Sequence, residues 1–165
     1  MKKHRHILKP LALCAASLLF AAPVYAGTDD DTMDVTATVL ATCDVIAQDL
    51  SFGNYDPIAA SNVDAATTVS LTCTNGTPYH LGISLGAGTG ASMATRYMKQ
   101  GANQLGYTLY QNGARTTLWG TATGDSLAGS GTGSAATINV YGRIPMQQAV
   151  PAGSYSDTIT VTVTW

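Results

Sequence analysis

Period-two alternation recurs along this chain and restricts it to strands. Met33, Val35, Ala37 and Val39 alternate with Asp34, Thr36 and Thr38; Val69, Leu71 and Cys73 share one parity, as do Tyr79, Leu81, Ile83 and Leu85. Leu105, Tyr107 and Leu109 repeat the pattern, then Ile138, Val140, Gly142 and Ile144, and finally Tyr155, Ile159, Val161, Val163 and Trp165. Successive side chains of an extended strand point to opposite faces, so each set forms one apolar face. Valine, isoleucine and threonine suit a pleated surface because their branched β-carbons pack well there. The opening run, Thr32 to Leu40, poses a question of its own: it pairs either within its chain or with another copy.

Turn residues separate the runs. Phe52-Gly53-Asn54-Tyr55-Asp56-Pro57 and Asn75-Gly76-Thr77-Pro78 are dense turn signals, and Gly86 to Gly90 is a glycine-rich loop. A short run surrounds Arg96-Tyr97-Met98. Asn112-Gly113 predicts a tight hairpin, since both residues tolerate positive φ, with Thr116 to Trp119 as the returning strand. Gly120 to Ser134, rich in Gly, Ser, Thr and Ala, reads as a long mobile loop. Many short strands with no amphipathic helix predict an all-β, antiparallel sandwich of immunoglobulin-like Greek-key type.

The first 26 residues stand apart. Lys2, Lys3, Arg5 and Lys9 precede an apolar run from Leu11 to Ala22, and Val24-Tyr25-Ala26 offers small residues where a signal peptidase reads. This is the pattern of a secretory leader cleaved after Ala26; the apolar run is short for about 30 Å of hydrocarbon. The remaining chain carries four basic residues, Arg96, Lys99, Arg115 and Arg143, against ten aspartates, a formal charge of −6. Nucleic-acid binding requires clustered cations to displace counterions, and no such cluster exists.

Cys14 leaves with the leader, so Cys43 and Cys73 remain. In an oxidising compartment two thiols most simply form one disulfide. No partner stands at metal-ligand spacing, and there is no Cys-x-x-Cys. Catalytic patterns are equally absent: His80 is the only remaining histidine and reads as solvent-facing, and no Gly-x-Ser-x-Gly elbow occurs. Asp29-Asp30-Asp31 lacks the spacing of a calcium loop and reads as a solvated terminus. Tyr55, Tyr97, Tyr110, Tyr141 and Trp119 either line a sugar-binding face or pack within the sheets. The chain therefore predicts no enzyme, no cofactor and no metal.

Five stretches in order resemble the spore coat protein U domain: Cys43-Asp44-Val45, Leu50 to Pro57, Leu71-Thr72-Cys73-Thr74-Asn75-Gly76, Tyr141-Gly142-Arg143-Ile144-Pro145, and Gly153 to Thr162. Met146-Gln147-Gln148 departs from the Gly-Gln that family places after Arg-Ile-Pro. A leader followed by one such domain resembles a pilin of the archaic, Csu-type chaperone–usher pathway, of the major, repeating kind. The resemblance implies three segments: a signal peptide (1–26), an N-terminal extension with a donor strand (27–41), and a pilin domain (42–165).

It also implies that the sandwich lacks its final strand. A periplasmic chaperone would fill the gap first; at an outer-membrane usher, the extension of another copy would replace it. Met33, Val35, Ala37 and Val39 would be the donor positions, and Ile159, Val161, Val163 and Trp165 a groove wall and chaperone-docking edge. The Cys43–Cys73 bridge would tie the first body strand to its partner. The implied partners are copies of itself, chaperone, usher and a tip adhesin; the implied role is adhesion and biofilm formation at the cell surface after passage through the periplasm. The alternative is a self-complete secreted β-sandwich binding module, an adhesin or coat protein with the opening strand folded into its own sheet.

Overall fold

Val63 to Cys73 forms an eleven-residue strand whose inward positions, Val69, Leu71 and Cys73, are buried. In the chain order of this computed structural model, which describes residues 24–165, it is the second of eight strands. These are β1 (Cys43–Ala47), β2 (Val63–Cys73), β3 (Pro78–Ile83), β4 (Arg96–Gln100), β5 (Asn103–Tyr110), β6 (Leu127–Ser130), β7 (Ala136–Ile144) and β8 (Val161–Thr164). Two sheets result, ordered β1-β2-β7-β5-β4 and β6-β3-β8, with every strand pair antiparallel. The expected leader lies outside the described residues except for positions 24–26.

The sheets close over a core supplied by the predicted parities. Val69, Leu105, Tyr107, Leu109, Val140 and Ile144 come from the larger sheet, and Leu81 and Ile83 from the smaller. Each such side chain contributes about 1.5–3 kcal/mol on burial. Trp119 is wholly buried among them, its indole N–H donating to Leu81 O at 2.8 Å. That makes it a core residue and removes it from any sugar-binding face. Cys43 and Cys73 stand opposite each other in the β1–β2 register, with Cα atoms 4.1 Å apart, and are disulfide-bonded.

Local expectations fail at four places. The hairpin after β5 is wider than a two-residue turn: the positive φ falls at Arg115 (56°), and Asn112 Oδ1 accepts from Thr116 N and Thr117 N. Thr116 to Trp119 is consequently no strand and returns through a single Tyr110–Leu118 bridge. The supposed loop from Gly120 to Ser134 contains β6, paired to β3 over Pro78–Leu81. A β-carbon at Gly129 would collide with the Tyr79 ring, so glycine is what lets this strand lie against its neighbour. The final ladder is confined to Val161–Thr164. His80 is half-buried, its Nδ1 3.3 Å from Ser126 Oγ, and not solvent-facing.

The chain divides into two units at Ala37/Thr38. The described part of the first, residues 24–37, has neither helix nor strand, and none follows before Cys43. Among the described residues the alternating run from Thr32 therefore finds no ladder, and Met33, Val35 and Val39 are 82–83% exposed.

Candidate functional site

Tyr155 to Val161, within the last eleven residues, build one side of an open groove. Tyr155, Asp157, Ile159, Val161 and Val163 are each half-buried, while Ser156, Thr158, Thr160, Thr162 and Thr164 are exposed, so the predicted parity holds from Tyr155 to Thr164 and fails at Trp165, which is 54% exposed. The segment's hydrogen bonds change sheet part-way. Ser156 exchanges backbone bonds with Lys99 of β4 (2.8 and 3.1 Å), on the edge of the larger sheet. Thr160 O then accepts from Ser84 N at 2.9 Å, and β8 pairs with β3 of the smaller sheet. Among the described residues β8 has no ladder neighbour beyond that partner, which leaves one row of its backbone groups unpaired there.

Facing this segment are the last residue of β1, Ala47, and the chain after it, Gln48 to Leu50 and Phe52. The cleft between them has a volume of about 430 Å³, with Val69, Tyr107, Leu109, Val140 and Ile83 as its floor. A second cavity of about 620 Å³ continues from it, sharing Leu50, Phe52, Met98 and Tyr155. An apolar groove beside a strand edge can accept an extended peptide, which gains main-chain hydrogen bonds while alternate side chains fill the groove.

One polar group interrupts the inward row. Asp157 Oδ2 accepts from Tyr107 O–H at 2.7 Å, and Oδ1 accepts from Ala87 N and Thr158 N, each at 2.8 Å. Gly86, at φ 81°, makes this possible, since a β-carbon there would occupy the carboxylate's place. Burial, reinforced by the bond to Asp157, pushes the Tyr107 phenol far above its ordinary value, so it remains a donor. Below lies Arg96, wholly buried. Its guanidinium donates to Ser84 O (2.9 Å), Met93 O (3.3 Å), Ile83 O (3.3 Å) and Trp119 O. Burial lowers its pKa, an effect opposed by Tyr107 and Asp157. This lattice locks the Ser84–Thr95 loop beneath the groove.

Of the residues singled out from sequence, Ile159 and Val161 line the groove and Val163 packs on the core beside it. Trp165 is half-exposed, its indole N–H donating to Ala41 O at 3.3 Å. Asp157, Tyr107 and Arg96 went unrecognised as site residues. The available signal for Asp157 was parity: it is the one charged residue on the inward side of the final run. Among the described residues no three His, Cys, Asp or Glu side chains gather as metal ligands.

Fold and groove together define an all-β, immunoglobulin-like sandwich left open beside its last strand. The Spore Coat Protein U domain model matches residues 29–162, and the chain belongs to that family. Protein U of Myxococcus xanthus is 34% identical over 166 residues, which cover 92% of this chain and 93% of that protein. A similar solved chain occurs in the crystal structure of the CsuC–CsuE chaperone–tip adhesion subunit pre-assembly complex, from archaic chaperone–usher Csu pili of Acinetobacter baumannii. It is 25% identical with a TM-score of 0.54; the match covers 78% of this chain and 40% of that one, so this chain spans well under half its neighbour's length.

Proposed function

We propose that this chain is a structural, non-catalytic pilus subunit, exported by its leader and assembled by donor-strand exchange in a chaperone–usher system. The observation that carries the reading is the open groove along Tyr155–Val161, bordered by a strand with an unpaired edge. The exposed row of Met33, Val35, Ala37 and Val39 has the parity and apolar character to fill that groove in another copy. Burying Met33, Val35 and Val39 at about 1.5–3 kcal/mol each would stabilise the joint by several kcal/mol before ordering costs. A periplasmic chaperone would occupy the same edge first, which an exposed apolar groove requires if it is not to aggregate. The usher, a tip adhesin, and the roles in adhesion and biofilm follow from the family resemblance and from the pilus neighbour.

The test is production of the full chain with and without a cognate chaperone, followed by an unheated denaturing gel. Polymers appear as a ladder that collapses to monomer on boiling. Deleting Thr28 to Leu40 leaves chaperone-bound monomer and no ladder. A ladder of normal length from that deletion would refute the proposal. A stable monomer purified without any chaperone would mark the self-complete binding module instead.

A further inference from the structure

We propose that Asp157 and Ala37 of a neighbouring copy form the register key of the joint, with the carboxylate selecting the smallest donor side chain. The inference rests on the donor-strand reading above and adds what fixes the donor's position along the groove.

Apolar alternation cannot do this alone. A slip of one residue turns every side chain to the wrong face, but a slip of two keeps the faces and moves each residue one place along. Val35 and Val39 are identical, so size and hydrophobicity distinguish such registers poorly. Direction comes first. All strand pairs in the body are antiparallel, and antiparallel pairing is slightly the more stable per residue. A parallel donor would also bring its own body to the Trp165 end, where the acceptor's extension joins Cys43 and Ala41 O already holds the Trp165 indole.

The groove presents four inward residues of the last segment, Tyr155, Asp157, Ile159 and Val161, and the donor has four inward residues. Set antiparallel, Met33 meets Val161, Val35 meets Ile159, Ala37 meets Asp157, and Val39 meets Tyr155. The Asp157 carboxylate is held by three donors, and half-burial leaves it some solvent on the groove side. An isopropyl group laid over an ionised carboxylate removes that solvation without supplying a bond, which is costly. A methyl group removes the least. A two-residue slip in either direction would put Val35 or Val39 over Asp157, so the carboxylate penalises both neighbouring registers.

The test uses the full chain and the boiling-sensitive ladder. Ala37→Leu should reduce the ladder about tenfold or more, equivalent to roughly 1.4 kcal/mol or more, and the near-isosteric Asp157→Asn should restore it. Ala37→Lys should retain polymer, because its ammonium reaches the carboxylate, whereas Val35→Lys should abolish it. Wild-type laddering by Ala37→Leu, failure of Asp157→Asn to rescue it, or equal loss from Ala37→Lys and Val35→Lys would each overturn the key. If Asp157→Asn alone prevents folding, the two lysine variants decide. Absence of any ladder from the unaltered chain would instead sink the donor-strand reading, and the key with it.

Discussion

At Gln147 the backbone sits at φ 60°, a left-handed conformation that costs a residue with a β-carbon about 1–2 kcal/mol. The segment Met146-Gln147-Gln148, which departs from the Gly-Gln that the resemblance places after Arg-Ile-Pro, therefore carries a backbone cost. Gln148 Oε1 accepts from Gly106 N and its Nε2 donates to Gly106 O, both at 2.8 Å, so the side-chain amide stands in for a peptide group beyond the end of β7. Gln147→Gly should raise stability by up to about 1 kcal/mol, the relief being partly offset by glycine's greater unfolded-state freedom. Thermal unfolding measures this; an unchanged or lower midpoint would contradict it. Asp64 offers a second residue-level test. Arg143 binds its carboxylate with two bonds (2.7 and 2.8 Å), and Arg115 Nε lies 3.3 Å away. The Arg143 hydrogen bond holds the Asp64 pKa below its ordinary value against some desolvation, with both guanidinium charges adding to the effect. A depressed folded-state pKa means stabilisation that is present above the unfolded value and lost as pH falls through the folded one. Solvent screening at this partly exposed site keeps the contribution below about 1 kcal/mol. Asp64→Asn should therefore lower stability slightly at neutral pH and converge with the unaltered chain in acid, as urea titrations at several pH values would show.

Among the elements, those with a regular apolar parity were legible and those built from small residues were not. β2, β3, β5 and β7 each carry buried residues at the alternating positions. β6 reads Leu-Ala-Gly-Ser, with one large apolar residue, and owes its place to the partner strand and to the clearance at Gly129. No periodicity could announce it. The hairpin after β5 failed for a different reason: the Asn112 side chain captured two backbone N–H groups and widened the turn, a local competition that a dipeptide signal does not reveal. Gly129→Val should force the Tyr79 ring aside and cost about 1–3 kcal/mol, with amide exchange accelerated first across Leu127–Ser130. Protection there equal to the unaltered chain would show that β6 does not depend on the close approach.

For the molecule as a whole, alternation, turns and two cysteines sufficed for the sandwich and its disulfide, because these depend on local pattern and on a simple pairing choice. The groove depends on what lies beside the last strand, a fact of topology that no stretch of sequence carries; Asp157 acquires its meaning only when Tyr107 and the Ser84–Thr95 loop are brought beneath it. The disulfide, finally, has a mechanical consequence. In a fibre joined by donor strands, tension would enter each body at Cys43, the first residue of an edge strand that could be peeled away one bond at a time. The covalent link at that very residue passes the load straight to Cys73, at the far end of an eleven-residue strand paired on both sides. Pulling would then shear many hydrogen bonds together instead of unzipping them in turn.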